Sequence, residues 1–127
     1  MDSWAKRIDA VTLFAEDLAA TKQFYLDVFG LQIHYEDDSS VAFKFGGTLI
    51  NLLSVSEAPE LIAPAAVALP EAGSRMQFTI TVGDVDAMCA ELSKRGVRLL
   101  NGPIDRPWGI RTASFRDPAG YIWEIAK

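Results

Sequence analysis

The sequence predicts an α+β fold in which one β-α-β-β-β module occurs twice. Strand-like runs surround two stretches with helical apolar spacing, and both halves of the chain present these patterns in the same order. The length of 127 residues is typical of one domain. We therefore expect a single domain over residues 1–127, with module one at about 7–55, a linker at about 56–73 and module two at about 74–127.

The first module begins with an apolar, β-branched run at residues 8–15. Asp17 is a suitable N-cap for the following helix, because its carboxylate can accept hydrogen bonds from the free amides of the first turn. Apolar spacing predicts a helix over residues 18–28, and Gly30 ends it because glycine tolerates a left-handed backbone. Three strands are then predicted at residues 31–36, 41–45 and 48–55, with turns between them.

The second module repeats this plan. A strand is predicted at residues 76–82, and Asp84 is the N-cap of a helix that ends at Gly96. The remaining predicted elements are a strand at 97–100, a loop at 101–109, a strand at 110–116, a turn at 117–120 and a strand at 121–127. The two modules align so that Asp17 matches Asp84, Ala10 matches Gln77 and Asn51 matches Glu124.

Composition excludes several classes of function. Seventeen acidic residues against 12 basic ones give a net charge of −5, which argues against nucleic acid as a partner. No apolar run approaches the roughly 20 residues that span a bilayer, and no signal peptide is evident at the N-terminus. Cys89 is the only cysteine, so no internal disulfide is possible. We expect a cytoplasmic protein without a membrane partner.

Three segments together resemble the vicinal oxygen chelate superfamily, which includes glyoxalase I, extradiol dioxygenases, fosfomycin-resistance enzymes and bleomycin-resistance binding proteins. They are "DLAATKQFYLDVFGL", "VGDVDAMCAELSKRGV" and "RPWGIRTASFRDPAGYIWEI". The resemblance covers about residues 7 to 127. It implies curved mixed sheets that form a cup, and a homodimer is common among members of this size.

Metal-dependent members of this superfamily take ligands from the first and last strand of each module. The internal alignment projects these positions onto Ala10, Asn51, Gln77 and Glu124. A catalytic divalent ion usually needs three protein ligands with lone pairs, and Ala10 has none to offer. Gln77 and Glu124 are the weak metal candidates that remain, so we expect no metal and no other cofactor.

Strand alternation places small and polar side chains together on one face of each module. Glu124 is the leading functional candidate, because it can bind a ligand amine or act as a catalytic acid or base; a salt bridge to Arg111 is the structural alternative. Trp108 resembles the aromatic residue of drug-binding members and can stack on a planar or cationic ligand. The predicted ligand-binding residues are Thr12, Asn51, Gln77, Thr79, Trp108, Arg111 and Glu124.

The preferred functional hypothesis is a metal-independent small-molecule-binding protein that resembles bleomycin-resistance proteins and sequesters its ligand in the cup. One alternative is a metal-dependent lyase, isomerase or dioxygenase of the glyoxalase type. Another is a cofactor-free enzyme that uses Glu124 as acid or base. The expected partners are a small molecule and a second copy of the chain.

Overall fold

The computed structural model describes residues 3–127, and the chain divides into two compact units, Met1–Val67 and Ala68–Lys127. The boundary between the units lies inside the predicted linker. Each unit contains one open, four-stranded mixed sheet with an accompanying helix. The predicted α+β class with two β-α-β-β-β modules is confirmed.

The first unit contains β1 (Ala10–Ala15), α1 (Leu18–Phe24) continued by a π-helical turn (Tyr25–Phe29), β2 (Ile33–Glu36), β3 (Ser40–Phe45), β4 (Thr48–Ser54), a 3-10 turn (Val55–Glu57) and α2 (Ala58–Ile62). The second unit contains a 3-10 turn (Pro70–Ala72), β5 (Gln77–Thr81), α3 (Val85–Lys94), β6 (Leu99–Asp105), β7 (Arg111–Arg116) and β8 (Ile122–Ala126). No helix within residues 3–127 combines the length and the apolar character that a bilayer crossing requires.

Both sheets have the same topology. The strand orders are β1-β4-β3-β2 and β5-β8-β7-β6, and in each sheet the first strand runs parallel to the last while the other pairs are antiparallel. Thr12 pairs with Asn51 in the first sheet, and Thr79 pairs with Glu124 in the second. These equivalent pairs confirm the internal alignment in which Asn51 matches Glu124.

The first helix differs from its prediction at its C-terminal end. Asp17 caps it as expected, since its Oδ1 accepts a 3.0 Å hydrogen bond from the amide of Ala20, and Gly30 ends it at φ +67°. Between these residues the last turn, Tyr25–Phe29, widens into a π-helical turn. A wider turn brings residues five apart into register, and the rings of Phe24 and Phe29 accordingly lie 6.1 Å apart.

The core of the second unit lies between α3 and one face of its sheet. Asp84 caps α3 through a 3.0 Å hydrogen bond from the amide of Ala87, and the buried side chains of the helix include Cys89. Trp123 is 2% exposed, and its ring centroid lies 4.7 Å from that of Phe78 on the neighbouring strand. The apolar face of β8 is therefore the one that faces α3.

The predicted loop at residues 101–109 is wrong in part, because β6 continues to Asp105. Two register shifts interrupt its pairing with β7, one between Leu99 and Asn101 and one between Asn101 and Ile104, and the second contains Gly102 and Pro103. β6 is an edge strand, so the missing amide of Pro103 costs no ladder hydrogen bond. Gly102 adopts φ +87°, and a Cβ there would lie 2.5 Å from the carbonyl oxygen of Thr112. The glycine thus allows an irregular strand where the sequence pattern indicates a loop.

Replacement of Gly102 by alanine is expected to destabilise the protein. The left-handed backbone alone costs on the order of 1–3 kcal/mol for a residue with a side chain, and the contact with the β7 backbone adds to this cost. Urea unfolding monitored by circular dichroism measures the change. Gly47→Ala is the matched control, because a Cβ there meets nothing within 4 Å and its φ is not positive. Equal stability of the two variants would contradict the role that we assign to Gly102 in the irregular part of β6.

The turn between β2 and β3 is organised by a single carboxylate. Oδ1 of Asp37 accepts hydrogen bonds from the amides of Ser39 and Ser40 at 2.9 and 2.8 Å, and Oδ2 accepts one from the hydroxyl of Tyr35 at 2.9 Å. The Ser39 amide bond, with help from Tyr35, lowers the pKa of Asp37 from 3.8 to about 2. The folded state therefore favours the charged form of this residue.

Asp37 is expected to contribute stability that disappears in acid. A lowered folded-state pKa stabilises the protein above the unfolded pKa near 4, and this contribution is lost as the pH falls towards 2. The free energy of unfolding of Asp37→Asn should lie below that of the wild type at pH 6, and the difference should shrink between pH 4 and pH 2. Asp38→Asn, at an adjacent exposed residue, is the control. A pH-independent difference for Asp37→Asn would contradict the assignment.

Candidate functional site

A row of polar side chains crosses the second sheet on the face opposite α3. Glu124 of β8 pairs with Thr79 of β5 on one side and with Ser114 of β7 on the other, and Ser114 in turn pairs with Asn101 of β6. Paired residues on adjacent strands point to the same face of a sheet. We call these four residues, Thr79, Glu124, Ser114 and Asn101, the polar row.

Glu124 is the anionic group of the polar row. Its side chain is half-buried, and its Oε1 accepts a 2.9 Å hydrogen bond from the hydroxyl of Thr79. Among the described residues, no lysine, arginine or histidine side chain lies within ion-pair distance of this carboxylate. Gln77 is exposed and lies two residues before Thr79 on the same face of β5. The structure thus brings Thr79 and Glu124 together and places Gln77 on the same face of the sheet.

A cationic group lies on the same face, and the sequence analysis missed it. Nε of Arg106 donates a 2.9 Å hydrogen bond to the hydroxyl of Thr112, and its Nη2 donates a 3.3 Å bond to Oδ1 of Asn101. Thr112 lies two residues before Ser114 on β7 and therefore shares its face. Arg106 and Asn101 fell within the predicted loop, so no strand alternation assigned them to a face. The alternation of Thr112 and Ser114 with Ala113 and Phe115 was the signal that could have placed the two hydroxyls.

Arg111 lies on the other side of the sheet, away from the polar row. Its guanidinium donates to both carboxylate oxygens of Asp86 on α3, at 2.9 and 3.0 Å, and to Asp105 at 2.9 Å. These hydrogen bonds raise the pKa of Arg111, and the bond from Arg111 lowers the pKa of Asp86. The structure therefore does not bring Arg111 together with Glu124, either as a salt-bridge partner or as a second ligand-binding group. The residue ties the β6–β7 hairpin to α3.

Trp108 occupies the turn between β6 and β7. Its side chain is 68% exposed, and no ring of another described residue stacks on it. An exposed indole at the end of a sheet offers a flat apolar surface and one N–H donor. No side-chain hydrogen bond joins Trp108 to the described residues of the polar row, and its role in ligand binding stays a prediction.

The first sheet carries an equivalent row without a charge. Thr12 of β1 pairs with Asn51 of β4, and Asn51 pairs with Ala42 of β3. Ala42 therefore corresponds to Ser114, and Asn51 to Glu124, in the second unit. Ala10 is exposed and lies two residues before Thr12 on the same face. Thr12 and Asn51 are brought together as predicted, and they form a neutral pair.

The projected metal-ligand positions do not fit a catalytic divalent ion. Ala10 and Asn51 of the first unit provide a methyl group and a neutral amide, and Gln77 and Glu124 of the second provide an amide and one carboxylate. Together they supply a single anionic donor and no imidazole or thiolate, whereas divalent sites usually take at least three strong ligands. Within residues 3–127 no three histidine, cysteine, aspartate or glutamate side chains cluster closely enough to hold an ion.

The fold has many relatives of known structure. A glyoxalase/bleomycin resistance protein/dioxygenase from Nocardioides superimposes with a TM-score of 0.85 at 23% identity, over 95% of this chain and 82% of its own. A lactoylglutathione lyase from Agrobacterium tumefaciens superimposes with a TM-score of 0.72 at 26% identity, over 94% and 92% of the two chains. These similarities confirm the arrangement of two mixed sheets with helices.

Sequence comparisons agree with the structural ones. The uncharacterized protein YraH of Bacillus subtilis is 36% identical over 121 residues, which are 92% of this chain and 94% of that protein. The uncharacterized protein YaeR of Escherichia coli is 28% identical over 94% of this chain and 95% of its own. A model of the Glyoxalase/Bleomycin resistance protein/Dioxygenase superfamily matches residues 7–125. With the duplicated fold and this match over nearly its whole length, the chain belongs to the Glyoxalase/Bleomycin resistance protein/Dioxygenase superfamily.

Proposed function

We propose that this protein binds a small molecule that carries a cationic, hydrogen-bond-donating group, and that it does so without a metal ion. The observation that supports this proposal is the environment of the Glu124 carboxylate. Its carboxylate is half-buried and has a hydroxyl as its hydrogen-bond partner, rather than a cation. A ligand ammonium group supplies the missing charge.

The hydrogen bond from Thr79 prepares Glu124 for this role. It engages Oε1 and orients the carboxylate, so a ligand can approach Oε2 without first ordering the side chain. A charge-assisted hydrogen bond between an ammonium group and a carboxylate is roughly twice as strong as a neutral one. The net charge of −5 adds a weak, long-range attraction for cations.

Further contacts in the proposed site come from the remaining polar and aromatic candidates. Gln77 presents an exposed amide on the same face of the sheet as Glu124, and Trp108 offers an exposed ring on which a planar or cationic ligand can stack. Within the first unit, considered separately, Thr12 and Asn51 form an equivalent neutral pair. This proposal makes the protein functionally similar to bleomycin-resistance binding proteins, which sequester a ligand and leave it unchanged.

A glyoxalase-type lyase is the second candidate, because the lactoylglutathione lyase of A. tumefaciens has the same fold at 26% identity. The side chains at the projected ligand positions favour binding over this chemistry, since they provide one carboxylate and no histidine. A cofactor-free reaction would instead use Glu124 as acid or base. Turnover of any bound compound that is abolished in Glu124→Gln would favour that reaction over sequestration.

Removal of the Glu124 charge is expected to weaken the binding of cationic ligands strongly. A thermal-shift screen of cationic aromatic compounds, with benzylamine as the simplest member, should raise the melting temperature of the wild type and leave that of Glu124→Gln unchanged. Isothermal titration calorimetry then compares affinities, with a loss of roughly tenfold or more expected for the variant. Glu71→Gln, at an exposed residue in the 3-10 turn Pro70–Ala72, makes the same charge change away from the sheet.

The Glu71→Gln control separates the effect of the local Glu124 charge on affinity from the effect of the net charge of the protein. Glu71→Gln should bind the same compounds with unchanged affinity, whereas equal losses in both variants would attribute binding to net charge alone. If no cationic aromatic compound stabilised the wild type in a broad library, the proposed function would be overturned.

Metal loading provides an independent test of the proposal. After incubation with excess Zn²⁺, Mn²⁺ or Ni²⁺ and desalting, elemental analysis should find far less than one ion per chain, because the four projected positions supply one carboxylate. Ligand binding measured with and without a chelator should be identical. One tightly held ion per chain, lost in Glu124→Gln and kept in Glu71→Gln, would favour the lyase.

A further inference from the structure

Arg106 brings a positive charge to the face that carries the polar row. Its side chain donates hydrogen bonds to Thr112 and Asn101, and both are neutral acceptors. Among the described residues no aspartate or glutamate lies within ion-pair distance of this guanidinium, which is only partly exposed. A guanidinium has five N–H donors in a planar fork, so these two bonds leave further donors available.

Arg111 of the same hairpin is an arginine with a structural role and serves as a comparison for Arg106. It lies five positions further along the chain on the opposite face, and two aspartates neutralise it. The turn itself does not need the Arg106 side chain, since backbone bonds close it. The amide of Arg106 donates to the carbonyl of Ile110 at 2.7 Å, and the amide of Gly109 donates to the carbonyl of Arg106 at 3.0 Å.

We propose that Arg106 binds an oxyanion of the ligand, a carboxylate or a phosphate, while Glu124 binds its ammonium group. This inference rests on the proposed function for the position of the site and adds the class of ligand. Thr112 and Asn101 hold the guanidinium in place, which lowers the entropic cost of forming a two-pronged contact with an oxyanion. The ligand is therefore a zwitterion rather than a simple amine.

The sheet sets the separation of the two charges. Asn101, which holds Arg106, lies two strands away from Glu124, and neighbouring strands are about 4.8 Å apart. The two charged groups of the ligand are thus separated by up to roughly 10 Å, which several bonds or one aromatic ring can span. A zwitterion has no net charge, so the overall −5 of the protein does not repel it.

Three matched probes test the inference by isothermal titration calorimetry at constant ionic strength: benzylamine, 4-(aminomethyl)benzoate and the methyl ester of the latter. The wild type should bind 4-(aminomethyl)benzoate roughly tenfold or more tightly than it binds either amine that lacks the carboxylate. In Arg106→Gln this advantage should vanish while the affinity for benzylamine stays within about twofold. Arg98→Gln, at an exposed residue outside the sheet, makes the same charge change and should keep the advantage.

Nuclear magnetic resonance provides a readout of the anion site alone. Acetate and inorganic phosphate are titrated separately, and the Nε–H signal of Arg106 and the amide signals of Thr112 and Asn101 are followed. Shifts that saturate in the wild type and in Arg98→Gln, and that are absent in Arg106→Gln, support the inference. The relative response to acetate and phosphate then distinguishes a carboxylate ligand from a phosphate ligand.

The outcomes separate the inference from the proposed function. If benzylamine binds through Glu124 but the added carboxylate gains nothing, the proposed function stands and the anion site is overturned. If no amine binds but acetate or phosphate saturates the Arg106 signal, the anion site stands and the cationic-ligand proposal fails. If neither anion shifts Arg106 and the zwitterion has no advantage, the inference is overturned.

Discussion

The parallel pairing of β5 with β8 is the constraint on which the candidate site depends. It sets Thr79 opposite Glu124 and, on the other face, Phe78 against Trp123. Side chains alternate along a strand, so a slip of one residue would move Trp123 to the open face and place Glu124 beneath α3. Burial of Trp123, with Phe78 packed against it, therefore fixes the position of the carboxylate. One strand register determines both which side chains enter the core and which face of the sheet carries Glu124.

Local patterns in the sequence were sufficient to predict most of the fold. Strand alternation predicted that the small and polar side chains share one face of each module, and the capping roles of Asp17 and Asp84 are borne out by hydrogen bonds of 3.0 Å. The helical periodicity could not reveal that the last turn of the first helix widens. That change depends on how aromatic rings far apart in the chain fit against β3, which is a property of packing rather than of local spacing.

The candidate site was less predictable, and residues 101–109 show why. Gly102 and Pro103 are residue types that usually indicate a loop. An edge strand can include them, because Gly102 can adopt a positive φ there and the ladder does not need the amide hydrogen that Pro103 lacks. The loop assignment left Asn101 and Arg106 without a face. The sequence analysis therefore selected Arg111 as the ligand-binding arginine. In the structure two aspartates neutralise Arg111, whereas the hydrogen-bond partners of the Arg106 side chain are neutral.

The unequal exposure of the three tryptophans gives the chain fluorescence signals of two kinds, one from a buried indole and one from exposed indoles. Trp123 is 2% exposed within the core of the second unit, whereas Trp108 is 68% exposed at the hairpin turn and Trp4 is 86% exposed in the first unit. A buried indole emits at shorter wavelength and resists aqueous quenchers such as iodide, while an exposed indole emits at longer wavelength and is quenched. The short-wavelength emission therefore reports the folding of the second unit through Trp123. The contribution of Trp108 to the long-wavelength emission reports changes in the surroundings of the β6–β7 turn.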